Sequence, residues 1–247
     1  FLFVPRIVSA QPGTYICPKF MGLPDMLRHS GNRCPPLLTP TLDARSGSRA
    51  WERAFLSTGR VLGFGVKECR SAWRQAVTAQ ARYVARLQEG LTPLDVLDNI
   101  PSGEKPGVAR ILLLGHPYNT FDSFVSMELV TRLRRRGYQV VTPEMLPCQL
   151  VEREARRLPK SLFWSLGRSL MGAGGYFMRA GGVVGIVHVV SFGCGPDSLV
   201  GELLERQAHR HGRLPFLLLT LDEHTGEGGL VTRLEAFLDM IEWRSVS

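Results

Sequence analysis

Apolar residues along the chain follow two rhythms, and the change between them divides it. From about Ser48 to Glu89, residues such as Trp51, Phe55, Leu62, Val66, Trp73, Val77, Val84 and Leu87 recur at spacings of mostly three, four and seven, which is helix periodicity. Gly59 and the Gly63–Gly65 region predict a break, giving two helices. From Ala109 onward the apolar residues gather instead into short runs separated by helical patterns. Ala109–Gly115, Tyr138–Thr142, Gly185–Ser191 and Pro215–Asp222 read as buried strands. Helices are predicted from Asp122 or Ser123 to Gly137, within 150–180, over Ser198–His211, and from about Gly228 to Trp243.

Four strand–helix units in succession imply a parallel sheet with helices on both faces. The expected fold class is therefore α/β, a flavodoxin-like doubly wound parallel sheet over residues 101–247. A partial N-terminal lobe with loop and helices is expected over 1–100. In that lobe Phe1–Ser9 reads as a strand with Pro5 marking an edge. A helix is expected just after Pro18. Residues 30–48 read as a surface loop around Cys34, and 99–107 as a linker. Phe1 opens directly in an apolar run that lacks the basic start and cleavage site of a signal peptide. The chain is accordingly expected to be part of a longer protein.

Composition narrows the function classes. Hydrophobic residues make up 44% and charged residues 21%, as in an ordinary globular protein, and no charge-free apolar run is long enough to span a bilayer. The net charge of +8 comes from 30 Lys and Arg against 22 Asp and Glu. Arginines are scattered over helix faces without aromatic interleaving or a DNA-binding motif, so neither nucleic acid nor membrane is an expected partner. The five cysteines, Cys17, Cys34, Cys69, Cys148 and Cys194, form no C-x-x-C pair. Dispersed thiols without a signal peptide point to a reducing, cytoplasmic compartment.

Ligands in doubly wound folds bind beyond the carboxyl ends of the strands. Those ends carry His116-Pro-Tyr118-Asn119, Gly193-Cys194-Gly195 and Asp222-Glu223-His224. Each residue alone could be a turn-former or a cap; together they mark one rim. No G-x-G-x-x-G follows a strand and no G-x-S-x-G occurs, and Gly172–Gly175 reads as tight helix packing. Cys194 sits between two glycines where a strand meets a helix N-terminus, which favours the thiolate. Cys17, beside Pro18, occupies a similar junction. A cysteine hydrolase using Cys194 with His116 or His224 is one reading. An iron–sulfur site accounts for both cysteines, with Cys34 a third candidate, Cys69 a packing residue and Cys148 undecided.

Ser191-Phe-Gly-Cys-Gly-Pro-Asp-Ser198 and the stretch Leu221–Asp239 resemble the closing motifs of the 2-hydroxyacyl-CoA dehydratase-related proteins. The likeness is to the branch fused to or associated with ATP-dependent dehydratase activases. Gly115-His-Pro-Tyr-Asn119 resembles that branch's first-strand motif, and Tyr15-Ile-Cys-Pro-Lys-Phe20 its earlier cysteine segment. The resemblance implies flavodoxin-like lobes with an iron–sulfur cluster between them, a [4Fe–4S] or a double-cubane form. It implies Cys17 and Cys194 as ligands, and Gly193 and Gly195 as amides beside the cluster sulfurs. His116, Tyr118 and Glu223 would be neighbouring or proton-donating groups, with His224 on the same rim. The family's first cluster cysteine lies upstream of the segment matching Phe1, so truncation is expected, with Cys34 the substitute ligand. The implied partner is an activase that hydrolyses ATP and delivers low-potential electrons for reduction or radical dehydration of a small molecule or CoA thioester; a homodimer is a further option. The alternative is a member without a cluster that serves as an interaction or structural domain.

Overall fold

The computed structural model describes residues 1–31, 34–101, 107–211 and 214–246. Residues 102–106 of the expected linker, and 32–33 of the expected loop, lie outside the described residues. The chain is α/β with parallel sheets. It divides into a unit of residues 1–82 with 162–166 and a unit of residues 83–161 with 167–247.

In the first unit β1 (Leu2–Phe3) and β2 (Arg6–Ser9) stand where one strand was expected. Pro5 has no N–H to give, so the ladder breaks there. α1 (Pro18–Arg28) follows, with Pro18 as its first residue. β3 (Leu37–Leu38) pairs parallel with β1, and β4 (Thr41–Asp43) with β2. These strands correct the expectation of a plain loop over 30–48. The prolines that suggested a loop still accept through their carbonyls: Leu2 N–H bonds Pro36 O and Arg6 N–H bonds Pro40 O. α2 (Ala50–Val61) and α3 (Val66–Gln88) are the two expected helices, parted where Gly63 adopts a φ of 89°. Phe55 of α2 packs on Phe3 and on Trp73 of α3.

The second unit begins with the end of α3, from Tyr83, and continues with α4 (Pro93–Leu97), β5 (Arg110–Gly115), α5 (Pro117–Thr120), α6 (Leu129–Arg135), β6 (Gln139–Val141), α7 (Cys148–Ala155), α8 (Ser165–Ala180), β7 (Gly185–Ser191), α9 (Gly195–Arg210), β8 (Phe216–Leu221) and α10 (Glu227–Val246). The first two residues of α8 belong to the first unit. The sheet order is β6-β5-β7-β8, all parallel, the flavodoxin-like order with its topological switch between β5 and β7. Side chains alternate between its faces. Ile111, Leu113, Val187, Val189, Leu219 and Leu221 form one core with Leu129, Val130 and Leu133 of α6 and Leu230, Leu234, Phe237, Leu238 and Ile241 of α10. On the opposite face α7, α8 and α9 pack closely through glycines: a Cβ on Gly172 would strike the Val151 carbonyl, and one on Gly174 the Leu204 side chain.

The helix expected from Asp122 begins only at Leu129. Asp122 does cap a turn, its Oδ1 accepting from Val125 N–H at 2.9 Å. Met127 and Glu128 then adopt left-handed backbone, at φ 52° and 58°, which ends that turn before α6 starts. Phe124, expected on the buried face, is 91% exposed.

Candidate functional site

The register of β5 and β7 fixes the centre of the site. Leu114 lies opposite His188, and both point to the α8–α9 face, where Gly201 of α9 leaves room for the imidazole of His188. His188 is fully buried and neither ring nitrogen has a hydrogen-bond partner among the described residues. Burial pushes its pKa from 6.5 down to about 4 against the pull of Asp197, with His116 adding to the depression. The next even position along β5's line is His116, which N-caps α5 and is itself buried. Its Nδ1 lies 2.7 Å from the Tyr118 hydroxyl, and its Nε2 lies 3.0 Å from Asp197 Oδ1.

Cys194 is the N-cap of α9, with Pro196 in the first turn. The turn that delivers it needs Gly193, whose φ is 74°. Cys194 N–H donates to Ser191 O at 3.1 Å, and Cys194 O accepts from Ser198 N–H and Oγ. Asp197 follows three residues after the cap. An acidic residue at that position ordinarily reaches back to the N-cap amide. Here it turns inward instead. Asp197 is fully buried and neither carboxylate oxygen has a hydrogen-bond partner among the described residues, nor does His116 Nε2, because the 3.0 Å approach lies off the hydrogen-bond line. One nitrogen of His116, the Cys194 sulfur and one oxygen of Asp197 all lie within 4.8 Å of one another.

A second aspartate in the same unit shows what a satisfied carboxylate looks like. Asp95, 2% exposed, sits three residues after the N-cap Thr92. Its Oδ2 accepts from Thr92 N–H and Oγ1, and Arg134 bonds both oxygens at 2.8 and 2.6 Å. Burial raises its pKa, but the hydrogen bonds from Arg134 and Thr92 outweigh that and hold it below the ordinary value. Asp197 has the same helical position and equal burial without such bonds.

Beside this cluster, at the same strand ends, lies a cavity of about 920 Å³. Asn119 and Ser191 line its inner end, and Phe124, Val125, Met127 and Leu221 supply apolar wall. Ser191 Oγ donates to Asn119 Oδ1 at 2.9 Å, while the buried Asn119 Nδ2 has no partner among the described residues. Glu128, Asp222, Glu223 and Glu227 stand around it, with one cation, Arg132, paired to Glu227.

The remaining sequence candidates fall into place individually. Cys17 N-caps α1, its carbonyl accepting from Phe20 and Met21 N–H at 3.0 and 3.2 Å. Like Cys194, Cys17 is half-buried. Cys34 is exposed, with its sulfur 3.8 Å from Leu27 O. Cys69 packs against Gly59 in the α2–α3 turn, and Cys148 is exposed as the first residue of α7. Glu223 and His224 lie exposed in the turn after β8, which Asp222 organises by accepting from His224 N–H and Thr225 Oγ1. Burial of Asp197 and His188 is what sequence reasoning missed; an acid three residues past a glycine-flanked cysteine was the available signal for Asp197.

The family described as the CoA enzyme activase uncharacterised domain matches residues 1–146, more than half of the chain. The chain belongs to that family. The activase-related match takes in Cys17, Cys34, His116 and Tyr118, and stops before Cys194 and Asp197. Comparison with curated proteins finds no match. Among the described residues no helix is long and apolar enough to cross a membrane.

Proposed function

We propose that this activase-related chain is an iron–sulfur protein akin to the 2-hydroxyacyl-CoA dehydratases, taking low-potential electrons from an ATP-hydrolysing activase. The observation that carries the reading is the likeness of two thiols. Cys17 and Cys194 each N-cap a helix with proline in its first turn, and each residue is half-buried. Thiolates are the ligands of such clusters and may come from separate segments. Helix N-termini favour the thiolate form and leave first-turn N–H groups free to bond sulfur. Cys34 is the third candidate ligand.

The donor chemistry therefore fits a cluster, which when bound would supply single electrons at low potential. The chain's own groups account for the rest. Gly193 and Gly195 let backbone approach closely at Cys194. Tyr118 and His116 hold a proton between a hydroxyl and Nδ1. The neighbouring cavity suits a small acyl or carbonyl group: its wall is apolar, and the unpartnered Asn119 Nδ2 offers a donor to a carbonyl oxygen. The carboxylates around it repel phosphates, so the acyl end of a CoA thioester belongs there and the nucleotide end does not.

The test is iron and acid-labile sulfide per chain after anaerobic purification of the intact protein. Cys17→Ala and Cys194→Ala are each expected to lose brown absorbance, iron and sulfide, and Cys69→Ala to retain them. Unchanged iron and sulfide in Cys194→Ala would overturn the reading.

A further inference from the structure

Within the second unit alone, His116, Cys194 and Asp197 present three different donors to one point. We infer that these three side chains are a ligand set for a single divalent first-row transition ion, bound through His116 Nε2, Cys194 Sγ and an Asp197 carboxylate oxygen. This rests on the proposal above that Cys194 turns a thiolate toward metal, but not on the presence of sulfide or on Cys17.

Proximity is the first ground and does not stand alone. The second is the state of Asp197. A fully buried carboxylate without a hydrogen bond is costly unless a cation compensates it, and the same unit shows that it can satisfy such a carboxylate when the role is structural, as at Asp95. The third is His116. Ligating histidines donate their other ring N–H to a fixed partner, and Tyr118 holds Nδ1 at 2.7 Å, leaving Nε2 to face Cys194 and Asp197. The fourth is the donor mix. One imidazole, one thiolate and one carboxylate suit Zn²⁺, Fe²⁺ or Co²⁺ rather than Mg²⁺ or Ca²⁺. Three protein ligands leave a fourth position for a water or a substrate atom. The half-buried Cys194 gives access from the rim.

The test uses the intact chain, anaerobic and freed of metal by chelator, titrated with Co²⁺. One equivalent is expected to bind, with a near-ultraviolet thiolate-to-cobalt band and visible bands of tetrahedral intensity. Cys194→Ser should abolish the thiolate band. Asp197→Asn and His116→Gln should each weaken Co²⁺ binding by at least the roughly 10- to 100-fold typical of losing a mere supporting partner. Tyr118→Phe should weaken binding while leaving the thiolate band in place, which marks a positioning role. Cys69→Ala, at a cysteine that packs against Gly59, should leave Co²⁺ affinity and spectrum unchanged. Far-UV circular dichroism confirms the fold of each variant, and Asp197→Asn, which removes charge without changing size, carries the test if His116→Gln does not fold. An Asp197→Asn variant that binds Co²⁺ with unchanged affinity and spectrum overturns the inference. A sulfide-containing native protein whose cobalt site ignores Asp197 upholds the cluster reading and sinks this one. A cobalt site that needs all three residues in a protein that never carries sulfide does the reverse.

Discussion

Asp95 and Asp197 make a matched pair whose neutralisation should move stability in opposite directions. Both are buried, and both lie three residues after a helix N-cap. Asp95→Asn replaces a carboxylate that takes two bonds from Arg134 and two from Thr92. An amide cannot receive Arg134 on both heads, and its NH₂ would face a guanidinium. Losing one charge-assisted bond costs about 1.5–3 kcal/mol, and weakening the cap adds about 0.5–2 kcal/mol. Arg134 is 38% exposed, so its share belongs at the lower end, and the expected loss is about 2–4 kcal/mol. Asp197→Asn loses no hydrogen bond. It exchanges a buried charge for a buried amide, and since an unpaired buried polar group costs about 1–3 kcal/mol and a charge more, the metal-free chain should gain about 1 kcal/mol or more. The assay is urea unfolding with chelator at pH 8.5. If Asp197→Asn destabilises the chain as much as Asp95→Asn, Asp197 is a structural partner and the reasoning from its missing bonds is wrong.

Two further predictions test the packing around the site. Gly172→Ala should destabilise the chain by about 1–3 kcal/mol through overpacking against α7, whereas Gly22→Ala in α1, which meets open space, should stabilise it by about 0.5–1 kcal/mol; thermal melts that move alike would show that the α7–α8 contact is not tight. His188 is held neutral in the folded chain, so its contribution to stability is full above pH 6.5 and is lost as pH falls from 6.5 toward about 4. With about 1.4 kcal/mol per pKa unit this amounts to about 3 kcal/mol, and His188→Leu should flatten the acid limb of a metal-free stability profile; an unchanged limb would place the acid sensitivity elsewhere.

The second unit was legible because its signals are local and strong. Gly185–Ser191 is the strand that its apolar run predicts, and the stripe from Leu230 to Ile241 is buried throughout. Cys17 and Cys194 were placed at helix starts by proline and glycine alone. What escaped depended on distant partners or on backbone that periodicity does not register. β3 and β4 exist because residues 2–9 pair with a proline-rich stretch about 35 positions on, and composition alone says loop. α6 starts late because Met127 and Glu128 turn left-handed, although their residue types fit a helix. Asp197 has the sequence position of an ordinary helix cap. Only the register of β5 on β7, which sets His116 and His188 beneath it, shows that it points inward.

That register also sets a clock. β5 pairs on one side with β6, a short stretch of chain away, and on the other with β7, which begins at residue 185. His116 and Asp197 are 81 positions apart, so at about 5–20 residues per second the ribosome releases the second roughly 4–16 seconds after the first. Parallel pairings of this separation are slow to close because loop entropy must be overcome before any contact rewards it. The three donors therefore cannot meet before the chain has been made through Asp197, and β8 still follows. A nascent chain halted earlier presents His116 without its carboxylate, and one halted just past Gly195 presents the Cys194 thiol on an unfinished helix, open to oxidation.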